Sequence, residues 1–181
     1  MRTGSLIATM LIIASLSPAD EITGIRDYYN QVKEALESGS SSLYTTELLV
    51  NTDDMSYPAL GKYQEKMTFH WGSEAGYSWL VLVTWESAYA AVEYYGEALY
   101  MTDDYSVENS EEVVFQFQSM GIGGEVMYEE RWWFDDGQVI QSSGKSFESG
   151  IPQAYVPDDG ADTDELRNHQ NLLELFRMIH D

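Results

Sequence analysis

Residues Glu129–Gln141 read EERWWFDDGQVIQ, and the way this stretch divides decides the fold. Asp136-Gly137 sits between two segments in which bulky and polar residues alternate. That arrangement marks a β-hairpin, because glycine takes the positive φ that a tight turn demands. Side chains of a strand point alternately to its two faces. Val126, Tyr128, Glu130, Trp132 and Phe134 therefore share one face, and Glu125, Met127, Glu129, Arg131 and Trp133 the other. The adjacent tryptophans diverge, so RWWF is a strand with a ring on each side and not a stacked aromatic platform.

Working outward, similar segments recur. LYTTELLV (43–50) and KYQEKMTFHW (62–71) read as strands, the second with Tyr63, Met67, Phe69 and Trp71 facing one way. YSWLVLVTW (77–85) is apolar on both faces, as a covered central strand should be. AYAAVEYYGEALYM (88–101) alternates and carries paired tyrosines, which predicts a strand; its Ala and Glu content also suits a helix. Val113, Phe115 and Phe117 alternate in a further strand. QVIQSSGK (138–145) closes the Asp-Gly hairpin. SFESGIPQAYVPDDGAD (146–162) reads as a loop because of its prolines and glycines.

Helices are expected at both ends. From Asp20, Ile22, Ile25, Tyr29, Val32 and Leu36 recur at helical spacing, with Ser38-Gly39 as a stop. Asp162 and Glu165 form a capping box before a last helix, whose apolar stripe includes Leu166, Leu173 and Phe176. The expectation is an α+β domain: an antiparallel meander of six to seven strands, with the N-terminal and C-terminal helices packed on one face.

The first nineteen residues stand apart from that domain. Arg2, an apolar run from Leu6 to Leu16 and Ser17-Pro18-Ala19 follow the plan of a secretory signal peptide cleaved after Ala19. The run is shorter than the ~20 residues a membrane span requires. Residues 20–181 are then a single exported domain, periplasmic or extracellular. A cysteine-free exported chain points to a bacterial source, and it excludes disulfides, a thiolate nucleophile and Cys-ligated zinc. With 31 acidic against 9 basic residues the net charge is −22, a field that repels nucleic acid and anionic lipid.

VNTDDMSYPALGKYQEKMTFHW (50–71) and MYEERWWFDDGQVIQ (127–141) carry a resemblance. The chain is similar over roughly Ile22–Lys145 to an uncharacterised group of exported bacterial α+β proteins. In that group a Pro-Ala-x-Gly turn leads into an aromatic strand, and an aromatic hairpin closes on Asp-Gly. The chain departs from the group at His70 and in its tail after Lys145. The group has no assigned activity, so the resemblance implies a fold and an exported location and no catalytic residue.

Chemistry is sparse. There is no Gly-x-Ser-x-Gly elbow, no His-Glu-x-x-His and no phosphate-cradling glycine loop. Of three histidines, His169 falls on the apolar stripe of the last helix, His180 is near the terminus and expected to fray, and His70 is on a wet strand face. Glu65 and Glu130 fall on largely apolar strand faces, where burial would raise a carboxyl pKa as a general acid requires. Glu130 is the candidate acid/base of a carboxylate-dependent hydrolase; a cross-strand partner such as a tyrosine hydroxyl, lysine or arginine, or a position at the sheet rim, is the structural alternative. Asp158, Asp159, Asp162 and Asp164 offer oxygen ligands suited to calcium, but their spacing fails an EF-hand loop. They read as a solvated acidic loop, and no cofactor is expected. Thirteen tyrosines and five tryptophans leave rings for a surface, with Trp133, beside Arg131, the candidate exposed ring and His70 a further binding candidate. The leading expectation is a non-catalytic binding or interaction domain for a protein or small ligand. A hydrolase working through Glu130 and a small-ligand binder with a curved-sheet pocket are the alternatives.

Overall fold

The computed structural model describes residues 17–39, 42–51, 56–57, 61–74, 76–102, 111–157 and 162–180; the side chains of 57, 61 and 162–170 lie outside the description. Residues 1–16 of the expected leader, Pro58–Leu60 of the Pro-Ala-x-Gly motif and residues 103–110 also lie outside it. The elements are α1 (Pro18–Glu37), β1 (Tyr44–Val50), β2 (Ser56–Tyr57), β3 (Gly61–Glu74), β4 (Tyr77–Tyr89), β5 (Val92–Thr102), β6 (Glu111–Ile122), β7 (Glu125–Asp135), β8 (Gln138–Glu148), β9 (Ile151–Tyr155) and α2 (Asp162–His180). The fold is α+β. Eight strands follow one another in an antiparallel meander, β1-β3-β4-β5-β6-β7-β8-β9, and β2 pairs with the start of β3.

The strands beyond the expected count are the two-residue β2 and β9, the latter on residues read from their prolines as loop. β9 pairs with β8 alone, so Pro152 sits on an edge, where a missing N–H is tolerated. The 88–101 segment also divides differently. β4 runs on to Tyr89, a turn at Ala90-Ala91 follows, and β5 begins at Val92. Ala90 adopts φ 54°, a left-handed conformation that no Gly or Asn signals. Asp136 and Gly137, at φ 48° and 69°, form the expected tight turn.

α1 begins at Pro18, with Ser17 as its N-cap and Pro at the first turn, where a missing N–H costs nothing. Its Ile22, Ile25 and Val32 are buried against Trp79, Leu82, Leu99, Phe115 and Trp133. From α2, Phe176 is buried against Phe69, Leu80, Val83, Ala98 and Tyr100. Leu82 and Val83 are neighbours in one strand, as are Ala98 and Leu99, so the two clusters are on opposite faces. The helices thus sandwich the sheet; the expected packing on one face is wrong. The physical reason is visible in β4, whose Trp79–Val83 run is buried on both sides and needs a cover for each.

Burial is confined to one half of the sheet. Strand β4 is buried over 79–83, β5 over 96–100 and at Thr102, and β7 over 132–134; the other residues of these strands are half-buried or exposed. Bulges at His70/Trp71, Leu99/Tyr100 and Met120/Gly121 shift the alternation within strands. Close approach is set by two glycines. An added Cβ on Gly96 would meet the Trp85 ring at 2.1 Å, and one on Gly144 would meet the Tyr155 ring at 2.6 Å.

Candidate functional site

α1 crosses the strands of the half-sheet it covers. Arg26 lies 5.0 Å over the Trp133 ring on β7, while Tyr29 and Lys33 reach Glu97 on β5. Beyond Glu97 the same face is left open as a trough of about 660 Å³. Its floor comes from cross-strand rows on one face: Lys66, Glu86, Tyr95 and Ser119, then Gln64, Ala88, Glu93 and Gly121. Leu49 and Val126 add apolar surface at its sides and are 54% and 45% exposed. Val126 arrives there through the bulge opposite Met120, which reverses its side relative to Trp132. At Gly121 an added Cβ would meet the Glu125 carbonyl at 3.2 Å and the Glu93 carboxylate at 4.0 Å.

The wall between trough and helix is a buried polar network. Glu97 is 3% exposed and accepts hydrogen bonds from the hydroxyls of Tyr29 and Tyr95 and from the Lys33 ammonium at 3.0 Å. Burial alone would push the Glu97 carboxyl up. The bonds from Tyr29, Tyr95 and Lys33 outweigh it and hold the group below the usual carboxylate range. Both tyrosine hydroxyls are pushed well above their ordinary range, by burial first and then by Glu97. An ionised carboxylate with its lone pairs committed is a poor proton donor. Its chemistry here is to fasten α1 to the sheet, and Tyr95 extends that fastening into the trough.

The residues singled out from sequence are dispersed. Glu130, half-buried on the α2 face, accepts from Gln118 at 2.8 Å and from the Tyr155 hydroxyl at 2.6 Å. The tyrosine hydroxyl is the kind of partner expected as its alternative, and the Gln118 amide was not foreseen. Glu65 likewise accepts from Tyr63. Trp133 is 3% exposed, in the α1 core 5.5 Å from Phe115, so the exposed ring is corrected to a buried one. Its strand face was expected to be wet and is instead roofed by α1. Arg131 bonds Glu129 at 3.2 Å and stacks 4.7 Å over Phe117. His70 is half-buried beside Thr45, with Nδ1 3.2 Å from the hydroxyl. Burial lowers its pKa, nearby Lys33 adds to that, and Glu97 opposes it.

His180 does not fray. Its ring lies 4.2 Å from Trp71 and 4.6 Å from Phe176, with Nε2 3.2 Å from the Thr46 hydroxyl. The carboxylates of Asp158, Asp159, Asp162 and Asp164 and the ring of His169 lie outside the described side chains. Glu111 opens β6 and is buried, pairing with Arg177 of α2 at 3.3 Å.

Glu97, Glu86 and Glu93 were missed. Tyr29 and Lys33 are four apart and so share a helix face, and Tyr95, Glu97 and Leu99 share a strand face. Those two signals were present, but nothing local brings the helix to that strand. No protein-family model, curated protein or solved structure matches the chain.

Proposed function

We propose that the chain is an exported, non-catalytic binding domain that holds a small ligand in the trough beside α1. The observation that carries this reading is the trough. Its volume of about 660 Å³ falls in the range of small-molecule sites, and it combines apolar sides with a few polar groups. Glu97, the buried carboxylate nearest to it, is held ionised by three donors, which favours a positioning role over proton transfer. Glu130 stands on the opposite face with both oxygens engaged. Export is supported by the leader-like first nineteen residues, and N-terminal sequencing of secreted material should begin at Asp20.

The test uses the neutral fluorescent probe N-phenyl-1-naphthylamine. The domain should bind it saturably at one site, and a doubly filled trough, Ala88→Leu with Ser119→Leu, should weaken binding at least about tenfold, a loss of ~1.4 kcal/mol. Glu130→Gln should leave it unchanged. An affinity indifferent to the filled trough, in a variant with wild-type circular dichroism, overturns the proposal.

A further inference from the structure

We infer that the trough selects a small amphiphilic cation, an organic amine carrying an apolar tail; this rests on the binding role proposed above. Two carboxylates, Glu86 and Glu93, stand on its open floor, on the row of Tyr95 and on that of Gly121. Among the described residues neither forms a salt bridge. Lys66, the cation in the lining, stands opposite Glu86 and feels its charge, but its ammonium is bonded to Glu47 at 2.6 Å. The hydroxyl of Tyr95 is directed to Glu97 and is equally committed. A ligand entering the trough therefore meets a floor with more negative than positive charge, and apolar surface from Leu49 and Val126, both largely exposed.

That pairing of surfaces fits an ammonium head over the carboxylates and a hydrocarbon tail along the apolar side. A carboxylate or phosphate head would oppose the floor and the molecule's net charge of −22 together. The tail supplies most of the affinity, because each methylene taken out of water adds as much as an exposed ion pair or more. The head supplies discrimination. Exposed ion pairs contribute little each, so two of them should favour a cation over a neutral head by about three- to tenfold at low salt.

Octylamine, octanol and octanoate share one tail and differ in head charge, and they can be titrated against the intact domain by displacement of N-phenyl-1-naphthylamine. Octylamine should bind about three- to tenfold more tightly than octanol, octanoate should bind most weakly, and the amine's advantage should shrink with added salt. Glu86→Gln with Glu93→Gln should abolish the advantage while leaving octanol affinity intact. Asp27→Asn with Glu34→Gln removes the same charge from the exposed side of α1 and should preserve it. Octanol binding with no preference for the amine overturns the cation inference and leaves the trough as a neutral site. A preference that survives Glu86→Gln/Glu93→Gln assigns it to the overall field and also overturns the inference. Failure of all three probes to bind removes the binding reading itself.

Discussion

Glu97→Gln is the most informative substitution. The carboxylate accepts from two hydroxyls and an ammonium in a position that is 3% exposed. A hydrogen bond to a buried charged group is worth ~1.5–3 kcal/mol. An amide of the same shape can place its oxygen at the Oε1 position, where Tyr95 and Lys33 still find an acceptor, and its NH2 toward the Tyr29 hydroxyl, which can turn to accept it. The two hydroxyl bonds then lose their charged partner, ~1–1.5 kcal/mol each, and Lys33 loses its counter-charge. Lys33 is 32% exposed and can swing into water, so its loss is discounted. The sum is about 3 kcal/mol, within the range for breaking a buried pair. For a urea slope of ~2 kcal/mol per molar the midpoint should fall by about 1.5 M without a change in slope. Lys33→Met alone should cost about 1 kcal/mol or less by the same exposure argument. Equilibrium urea unfolding followed by tryptophan fluorescence reads both, and amide exchange should show α1 losing protection first. A cost for Glu97→Gln below about 0.5 kcal/mol would refute the idea that this network fastens α1.

Other expectations follow from named contacts. Gly96→Ala would drive a methyl into the Trp85 ring, from 2.1 Å, and should cost about 1–3 kcal/mol with a shift in Trp85 emission. Ala90→Gly relieves a left-handed alanine in the β4–β5 turn and should stabilise by up to ~1 kcal/mol, raising the melting temperature; a lower melting temperature would contradict that turn. Stability should depend on pH in two windows. His70 has a lowered folded pKa, so below the unfolded value near 6.5 the unfolded chain binds the proton first; stability falls with pH there, and His70→Gln should flatten that limb. Glu97 also has a lowered folded pKa, so its contribution is complete above the unfolded value near 4.3 and is lost as pH drops through the folded one. Glu97→Gln should remove that second limb.

Local patterns predicted much of the sheet. Asp136-Gly137 located a hairpin, the alternation in β3 placed Phe69 and Trp71 together, and Trp132 and Trp133 do point apart, into the α2 and α1 sides of the sheet. What escaped depends on information that neighbours in sequence do not carry. An alanine at positive φ has no signature, so the Ala90 turn was hidden. Simple alternation would put Val113 and Phe115 on one face. A bulge at Val114, opposite the consecutive Leu99 and Tyr100, sends the first toward α2 and the second toward α1. The side taken by each helix is a global choice, and it decided whether Trp133 was wet or dry. The trough is the clearest case. It is the area α1 does not reach, and a gap between a helix and a sheet leaves no mark in either segment.

Because the helices cover only one half of the sheet along its strands, burial there has a mechanical consequence. In β4, β5 and β7 a single strand passes from a dry stretch to a wet one. Ladder bonds should therefore open progressively along each strand rather than strand by strand, starting at the Ala90-Ala91 and Gly123-Gly124 tips. A guest lodged between those tips and the helix would splice the loose hairpin ends together. Occupancy would then be felt as stiffness in the part of the molecule that otherwise breathes most.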